Sequence, residues 1–387
     1  MKNDYSLKSP LKYKIVGFDS YILIAYILLC LMGLYMNLNI SSVTEPNMST
    51  FMKQLLWVSL SLITMFYAFT VIDIKKLHRY IPLLTFINII LLVLVLQFGA
   101  VINGARRSFV FFGMNFQPSI FVRVMLVLYF VYFLDKKQDL IDQTDPKGFI
   151  KYFKPLIVVS VITFAIILKQ QHFSTIVISA MTLMSLLWIS KIRLSTIAAI
   201  ILIVSIGFIG ILSYGASYRE SRMDLFKKYS LIYRIINKDV ANISVDDYQV
   251  KQSLISMVAG GLFGTSHVYG QAKHFYLPES RTDYIYSIIG EEYGFIGAMV
   301  VFILYCVILF RGLLGSLQLK DLFLKLAVIG LTLNIFFNAF VNIGVAMAAL
   351  PSTGVTLPFM SYGGTSLIAN SLSIGLILNI TAERRAC

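Results

Sequence analysis

Ten long apolar runs constrain the fold of this chain more than any other feature of its sequence. An α-helix of about 20 mostly apolar residues is what crosses the hydrocarbon core of a bilayer. Because that core offers no water to backbone groups, each run is predicted to be a helix. The predicted spans are 20–40, 52–72, 80–100, 117–134, 155–169, 174–190, 194–214, 284–310, 325–346 and 362–382.

Composition supports this class of protein and excludes others. Of the 387 residues, 58% are hydrophobic and 13% are charged, whereas soluble domains average about 25% charged residues. The net charge of +14 is explained by basic loops facing the anionic cytoplasmic leaflet, so no nucleic-acid partner is expected. Cys30, Cys306 and Cys387 form no metal or disulfide pattern. We therefore predict an all-α integral membrane protein with about ten transmembrane helices, forming a single polytopic domain over residues 1–387.

The basic residues predict how the spans are oriented. With a cytoplasmic N-terminus, 19 of the 33 Lys and Arg lie in cytoplasmic segments, and only five lie elsewhere outside one long loop. The positive-inside rule then places both termini in the cytoplasm. The basic segment Lys2–Lys14 precedes an apolar run without a small-residue cleavage site, so we expect a first span and not a removed signal peptide.

The long loop, residues 215–282 between spans seven and eight, is predicted to be extracytoplasmic. A connection of this length is usually functional. Leu225–Ile236 and Gln252–Val258 look amphipathic, which favours a loop lying along the membrane surface. A solvated loop with incidental charges is the alternative.

Several charged or titratable residues fall where a bilayer protein rarely carries them. Arg123 lies about two turns into the fourth span, where it either serves function or reaches back to the outer interface. His172, between spans five and six, is either a substrate contact or a hydrogen-bonded structural residue. Arg106 and Arg107 lie in a short loop predicted to be on the outer side, where the positive-inside rule does not favour basic residues. Guanidinium groups suit phosphate recognition.

Three carboxylates are predicted to open the eighth span at its outer end: Asp283, Glu291 and Glu292. On a continuous helix, Asp283 and Glu291 would lie roughly 12 Å apart, beyond the roughly 5–9.5 Å of paired glycosidase carboxylates. A single carboxylate among cations instead suits a base that deprotonates a hydroxyl nucleophile while the cations hold an anionic leaving group. Near the last span, the Pro- and Gly-containing segment 350–366 is predicted to line a cavity, since irregular backbone at membrane depth requires one.

A series of short motifs runs in one order through nearly the whole chain. They are Lys53-Gln54-Leu55-Leu56-Trp57, Asn103-Gly104-Ala105-Arg106-Arg107, Gln117-Pro118-Ser119, Tyr218-Arg219 with Arg222, Gly260-Gly261-Leu262-Phe263-Gly264, Leu277-Pro278-Glu279 with Thr282-Asp283, and Ser361-Tyr362-Gly363-Gly364. On ten predicted spans, this order resembles the SEDS family (shape, elongation, division and sporulation), whose FtsW- and RodA-type members are peptidoglycan glycosyltransferases.

The resemblance implies an enzyme that polymerises lipid II on the outer face of the bacterial cytoplasmic membrane. It also implies a class B penicillin-binding protein and other divisome or elongasome membrane proteins as partners. Asp283 matches the family's catalytic aspartate, which activates the acceptor hydroxyl while undecaprenyl pyrophosphate leaves. The resemblance leaves open whether a divalent cation, Mg²⁺ or Mn²⁺, assists the reaction. The residues expected to bind substrate are Lys53, Arg106, Arg107, Gln117, Ser119, Arg123, His172, Thr175, Arg219, Arg222, Glu279, Ser361, Gly363 and Gly364.

Four positions depart from the family pattern. Ile120 stands in place of the Glu of the family's Q-P-S-E motif, and Arg123 stands in place of the Lys that follows it. His172 replaces the Asp of Q-P-D-L-G-T. Arg281 replaces the His that usually precedes the T-D pair. Losing two carboxylates beside a retained cation makes the cavity more positive. This is either a compensated change or the mark of an altered activity. The N-G-A-R-R and G-E-E motifs favour the division branch over the elongation branch.

Two other functions stay open from the sequence. A transporter that flips lipid-linked precursors would use a central cavity containing Arg123 and His172, although the charged candidates concentrate at the outer side. A non-catalytic scaffold would follow if the departures disabled the site, although the retained Asp283 argues against this.

Overall fold

The protein is a bundle of helices with two small β-sheets at its ends. The structure, a computed structural model, describes residues 13–102, 105–111, 114–143, 145–202, 224, 226–229, 248–266 and 270–386. Its helices are α1 (Ser20–Thr44), α2 (Ser49–Thr70), α3 (Ile74–Phe98), α4 (Pro118–Lys136), α5 (Pro146–Tyr152), α6 (Lys154–Lys169), α7 (Phe173–Ile189), α8 (Tyr248–Gly260), α9 (Ile285–Leu317), α10 (Leu322–Ala346) and α11 (Gly364–Thr381). Its strands are β1 (Tyr13–Gly17), β2 (Ala100–Ile102), β3 (Ala105–Phe111), β4 (Met114–Phe116) and β5 (Glu383–Ala386).

The helical, membrane-spanning fold class predicted from the apolar runs is confirmed. Within the described residues, seven helices are long and apolar enough to cross a bilayer, namely α1, α2, α3, α4, α9, α10 and α11. The pair α5 and α6, bent by 82°, makes an eighth if it forms one span, and the apolar α7 is shorter.

Nine of the ten predicted spans therefore coincide with helices. The seventh, 194–214, is helical over 194–202, and its remainder lies outside the described residues, so the count of ten stays a prediction. The same holds for much of the predicted loop 215–282, whose described part contains α8 and a short π-helical turn, Ala272–Tyr276.

Three helices form the centre of the bundle. In the apolar spans of α4, α10 and α11, 72%, 78% and 83% of the residues are buried, against 28% for α2, α3 and α9. Close backbone approach holds α11 against α2: a Cβ on Gly375 would lie 2.4 Å from the Met65 carbonyl oxygen. The Asn379 amide donates to the Ala68 carbonyl at 2.7 Å. Small residues and buried amides are the usual means of packing membrane helices.

The two ends of the described chain pair with each other. Strand β1 runs antiparallel to β5, with Lys14 opposite Arg385 and Tyr13 opposite Ala386. Strands that share a ladder lie about 4.8 Å apart. The segment before α1 and the segment after α11 therefore lie at the same face of the bundle.

The connection between α3 and α4 is a three-stranded antiparallel sheet, β2-β3-β4. The sequence analysis expected a short loop here, and this expectation was wrong. The Asn103-Gly104 pair that precedes β3 is a hairpin signal, although these two residues lie outside the described part. The sheet matters because β3 carries Arg106 and Arg107.

Helix α9 is broken near its N-terminal end. Its 33 residues would extend about 50 Å if straight, well beyond the roughly 30 Å hydrocarbon core. Gly294 has φ 67° and ψ −166°, and the Tyr286 hydroxyl donates to the Ala298 carbonyl at 3.1 Å across the break. The segment Ile285–Tyr293 thus turns away from the axis of the main span. The prediction that Asp283 opens this helix was wrong, because α9 begins at Ile285.

Candidate functional site

Asp283 lies in a tight turn just before α9. The backbone N–H groups of Thr282, Asp283 and Tyr284 all donate to the Glu279 carbonyl, at 3.1, 3.1 and 3.2 Å. Glu279 itself has φ 53°, and its carboxylate accepts from the Thr282 hydroxyl at 2.8 Å. The Asp283 side chain is half-buried and faces Gly354 of the Pro/Gly segment, where a Cβ would lie 3.6 Å from Oδ2.

Three donors from elsewhere in the fold hold the backbone of this turn. The Tyr362 N–H donates to the Arg281 carbonyl at 2.8 Å, and the Ser361 hydroxyl donates to the Thr282 carbonyl. The Asn342 amide, near the end of α10, donates to the Asp283 carbonyl at 2.9 Å. Successive carbonyls at 281, 282 and 283 are thereby fixed, so the position of the Asp283 carboxylate is set by the core of the bundle.

The side chain of Arg281 ties the turn to the connection between α1 and α2. It forms an ion pair with Glu45 and donates to the Thr44 hydroxyl. Glu45 also accepts from the Thr50 backbone at 3.0 Å. Burial opposes ionisation of Glu45, but the hydrogen bonds from Arg281 and Thr50 outweigh it and lower its pKa to about 2. Arg281 therefore acts as a structural clamp.

Glu291 and Glu292 are bonded to residues outside the Asp283 turn. The Glu292 carboxylate accepts from Lys273 at 3.0 Å and from Asn39 at 2.6 Å, in an ion pair that is almost fully buried. The Glu291 carboxylate accepts from the backbone N–H groups of Gln271 and Ala272 at 2.9 and 3.0 Å. A buried ion pair is stable only when its remaining hydrogen bonds are satisfied, as here. These carboxylates fasten residues 271–273 to α9, which leaves Asp283 and Glu279 as the carboxylates of the turn.

A second group of predicted residues surrounds His172, at the start of α7. The Ser119 and Thr175 hydroxyls lie 2.8 and 3.0 Å from its Nδ1, and the Gln117 side-chain amide nitrogen lies 3.3 Å from the same atom. The imidazole is buried, with 8% of its surface exposed. Burial, followed by the charges of Arg107 and Arg123, lowers the pKa of His172 to about 3, so the ring is neutral.

Two arginines complete this group, and a third predicted arginine does not join it. Arg123 on α4 is 5% exposed, and its Nε has no hydrogen-bond partner within the described part of the chain. On β3, Arg107 is half-buried and its charge acts on His172. Its neighbour Arg106 faces outward and donates to the Gln97 carbonyl at 3.3 Å. We name Arg107, Arg123 and His172 the basic cluster.

The Pro/Gly segment connects the Asp283 turn with the residues around His172. Ser361 contacts the turn, while the Thr365 hydroxyl accepts from the Gln117 backbone at 3.1 Å and donates to the Asn115 carbonyl at 3.0 Å. Four residues of extended chain span at most about 14 Å. The points at which this segment contacts the two groups therefore lie within that distance of each other.

The remaining predicted substrate residues have other roles or lie outside the description. A Cβ on Gly364 would lie 2.0 Å from the Trp57 ring, so Gly364 serves close packing of α11 on α2. Gly363 caps α11 with extended backbone. Lys53 is exposed on α2, beside Gln54, which donates to the Ser361 carbonyl at 3.3 Å. Arg219 and Arg222 lie outside the described residues.

Sequence reasoning gave Asn342 no role in holding the Asp283 turn and missed Glu45, although both act across long chain separations. Asn342 is an amide within an apolar span, where polar residues are costly and usually functional. The only sequence signal for Glu45 is that it is an acidic residue between two predicted spans. Its partner Arg281 lies 236 residues away, a separation that no local pattern reports.

The described residues hold no group of three His, Cys, Asp or Glu side chains of the kind that encloses a metal ion. Asp283 and Glu279 are the carboxylates of the candidate turn. Mg²⁺ is commonly bound by one or two carboxylates together with substrate phosphates. The residues present therefore fit a cation shared with a bound diphosphate.

Comparison with known proteins agrees with this fold. A model of the cell cycle protein family of FtsW, RodA and SpoVE matches residues 19–386. The probable peptidoglycan glycosyltransferase FtsW of Geobacter metallireducens is 32% identical over 316 residues, covering 81% of this chain and 80% of that protein. Stage V sporulation protein E of Bacillus subtilis is 32% identical over 335 residues, covering 86% of this chain and 87% of that protein.

Among solved structures, one similar chain comes from a study of how a peptidoglycan synthase complex coordinates polymerization and crosslinking. It aligns with a TM-score of 0.73 at 21% identity, covering 95% of this chain and 98% of that chain. At this identity the likeness bears on the fold alone.

Proposed function

The chain belongs to the family of cell cycle proteins that includes FtsW, RodA and SpoVE, and on this premise we propose that it polymerises lipid II with Asp283 as general base. Matched relatives carry the name peptidoglycan glycosyltransferase, and the chain is an enzyme of this class. Lipid II as its substrate, and the roles of individual residues, are part of the proposal.

In the proposed reaction, the Asp283 carboxylate takes the proton from the hydroxyl of the acceptor sugar. The hydroxyl oxygen then forms a bond to the anomeric carbon of the donor glycan, while the bond from that carbon to the diphosphate breaks. Undecaprenyl diphosphate leaves with the bonding electron pair. A positioned general base of this kind contributes about 10²- to 10⁴-fold to a rate. The turn around Asp283 supports this role because its backbone is fixed by Tyr362, Ser361 and Asn342.

The leaving diphosphate needs positive charge beside it. Arg107 and Arg123 supply two guanidinium groups in the group around His172, and such groups recognise phosphate oxygens with good geometry. A divalent cation held between the carboxylates of the turn and the diphosphate would add further charge neutralisation. This arrangement supports a donor whose anionic group lies in the outer half of the bundle.

We further propose that both termini are cytoplasmic and that the site opens to the outer face of the cytoplasmic membrane. The distribution of Lys and Arg supports this orientation. The pairing of β1 with β5 supports it too, because both ends then lie at one face. The outer face is where lipid II polymerisation would occur.

A class B penicillin-binding protein is the proposed partner, along with other divisome or elongasome membrane proteins. The structural likeness to a chain from a complex that coordinates polymerization and crosslinking supports a partner that supplies crosslinking. No nucleic acid takes part in this proposal.

The observation that carries the proposal is the Asp283 carboxylate, whose turn is fixed by Tyr362, Ser361 and Asn342. To test it, the protein is purified with its cognate class B penicillin-binding protein, whose transpeptidase is blocked, and incubated with labelled lipid II. Glycan ladders that vanish in Asp283→Ala support a polymerase that uses Asp283. Ladders from both proteins would move the base elsewhere. A wild type without ladders, given a correctly assembled complex, would contradict the proposed activity.

A further inference from the structure

A cavity of about 290 Å³ lies between α8 and the first segment of α9. We name it the α8 cavity. None of its lining residues belongs to the Asp283 turn or to the basic cluster. Small-molecule sites usually have volumes of roughly 300–1,000 Å³, so the α8 cavity has room for one small group. It opens to the surface, because Ile255, Ala259 and Gln271 on its wall are exposed.

One side of α8 forms a wall of this cavity. Four of its residues share that side because they are spaced i, i+3, i+4 and i+7. They are Gln252, Ile255, Ser256 and Ala259. A neighbouring side of the helix is fastened to α9: the Ser253 hydroxyl lies 2.6 Å from the Ser287 hydroxyl, and a Cβ on Gly260 would lie 1.9 Å from the Gly290 carbonyl oxygen. The wall is therefore held in place by the packing of α8 on α9.

The opposite wall is built around Glu291. Its carboxylate accepts from the backbone N–H groups of Gln271 and Ala272 at 2.9 and 3.0 Å. Its carbonyl accepts from the Thr265 backbone N–H at 2.9 Å and from the Thr265 hydroxyl at 3.1 Å. Three separate segments, at 265, 271–272 and 291, are thereby joined into one surface that faces α8.

The lining offers hydrogen bonds without positive charge. The side-chain amides of Gln252 and Gln271 each provide donors and an acceptor. The Ser256 and Thr265 hydroxyls donate to backbone carbonyls, which leaves their oxygens as acceptors. None of the described residues that line the cavity is Lys or Arg. A phosphate there would find no counter-charge and would face the Glu291 carboxylate, so the lining suits a neutral ligand.

We propose that the α8 cavity binds a neutral sugar ring that carries an acylamino group. The hydroxyl and amide groups of such a ring match the amides and hydroxyls of the lining. Its ring C–H groups and acyl methyl match the apolar surface of Ile255, Ala259 and Ala272 in the same cavity. The sugar is a unit of the glycan strand next to the reacting sugars, an assignment that rests on the proposed function.

The α8 cavity is a subsite separate from the proposed base. Glu291 follows Ile285, the first residue of α9, by six positions, which is about 9 Å along a helix. Asp283 lies in the turn before that helix. A strand that binds in the cavity therefore extends beyond the sugar whose hydroxyl reacts at Asp283, and the cavity holds the strand without touching the reacting atoms.

The first test titrates N,N′-diacetylchitobiose into the whole protein in nanodiscs and measures binding by saturation-transfer NMR. We expect binding by the wild type and at least tenfold weaker binding by Ala259→Leu, whose larger side chain fills the cavity. The matched control is Val258→Phe, which adds bulk at an adjacent residue that is 80% exposed and outside the lining. It should bind as the wild type does. A wild type that does not bind at millimolar concentration, or equal losses in the two variants, would overturn the proposal.

A second pair of variants tests the hydrogen bonds of the lining. Gln252→Leu removes an amide at nearly constant size and should weaken binding about three- to tenfold, the usual worth of one hydrogen bond. Gln249→Leu changes an exposed glutamine of α8 that lies outside the lining and should leave binding unchanged. Equal affinities of Gln252→Leu and the wild type would contradict recognition by the lining amides.

A change of ligand tests the chemical class. Diacetylchitobiose should bind more tightly than cellobiose, which has no acylamino group, and more tightly than the de-acetylated disaccharide, which is cationic. Equal binding of cellobiose would contradict recognition of the acylamino group. Tighter binding of the cationic disaccharide would assign the cavity to an amine attracted by Glu291 and would also contradict the proposal.

The assay with labelled lipid II and the blocked partner tests the assignment to the glycan strand. Ala259→Leu should form shorter strands than the wild type and Val258→Phe, because the growing strand loses a binding contact. Unchanged strand length despite lost disaccharide binding would overturn this assignment. A wild type that binds the disaccharide but forms no ladders would contradict the proposed function alone, whereas ladders without disaccharide binding would contradict the sugar subsite alone.

Discussion

At the scale of single residues, the position of Asp283 depends on hydrogen bonds to its backbone more than on its immediate neighbours in sequence. The sequence motif identified Asp283 itself, because the T-D pair that marks it consists of adjacent residues. The motif could not identify what holds it, because Asn342 and Glu45 reach the turn from α10 and from the end of α1. Such contacts exist only once the bundle has formed.

Asn342→Ala tests this dependence. The change removes the donor to the Asp283 carbonyl, so the carboxylate loses its fixed position while its chemistry is unchanged. Since a displacement of about 1 Å can cost roughly 10²-fold in rate, we expect kcat to fall about 10- to 100-fold with a smaller change in KM. Steady-state kinetics with labelled lipid II measures both constants.

The matched control for that variant is Asn379→Ala, which removes another buried amide that donates to backbone carbonyls, those of Ala68 and Ile72. We expect it to lower the melting temperature and leave kcat within about twofold. Equal losses of kcat in the two variants would show that Asn342 acts on stability alone.

Glu45→Gln tests the clamp between Glu45 and Arg281 through its pH dependence. The pKa of Glu45 is lowered to about 2, so its contribution to stability is fully present above its unfolded pKa and is lost as the pH falls towards 2. We expect Glu45→Gln to unfold at a lower temperature than wild type at neutral pH. The difference, about 1 kcal/mol for a partly exposed pair, should shrink below about pH 4.5. A difference independent of pH from 7 to 3 would contradict the ion pair.

At the scale of elements, apolar periodicity predicted helices well and their interruptions poorly. The spans matching α1 to α4 and α9 to α11 were visible as long apolar runs. The sheet β2-β3-β4 was missed because an Asn-Gly signal between short strands was read as part of a loop. The break in α9 was missed because a single glycine within an apolar run does not by itself indicate a kink.

The α9 break gives a prediction about stability. Gly294 has backbone angles open essentially to glycine alone, and a Cβ there would lie 2.4 Å from the Gly264 backbone nitrogen. We expect Gly294→Ala to lower the free energy of unfolding by roughly 3 kcal/mol or more, measured by thermal melting in detergent. Gly261→Ala is the matched control, because Gly261 has φ 53° but nothing within 4 Å of its Cβ position. It should cost about 1 kcal/mol, and equal losses would contradict the close approach.

At the scale of the whole molecule, the charge distribution predicts the orientation, and the chain pairing brings both ends of the described chain together. The basic residues predict cytoplasmic ends, and β1 pairs with β5 at one face of the bundle. The packing that brings segment 350–366 between the Asp283 turn and the basic cluster was beyond sequence reasoning. It depends on how α10 and α11 pack in the core.

Cysteine labelling tests this orientation. After replacement of Cys30, Cys306 and Cys387, one cysteine is introduced by Lys320→Cys between α9 and α10, or by Val110→Cys on β3; both positions are exposed. In spheroplasts, a membrane-impermeant maleimide should label Val110→Cys at once and Lys320→Cys only after permeabilisation. The reverse pattern would invert the proposed topology and place Asp283 on the cytoplasmic side.

The central claim is that Asp283 is the base of a glycosyl transfer. Its most direct test is the initial rate of lipid II polymerisation by Asp283→Asn, in complex with the partner and at saturating substrate. The control is Asp321→Asn, which changes an exposed acid that caps α10 and keeps the capping oxygen. A fall of about 10²- to 10⁴-fold for Asp283→Asn, with near wild-type rates for Asp321→Asn, is the predicted result. An Asp283→Asn rate within tenfold of wild type would contradict it.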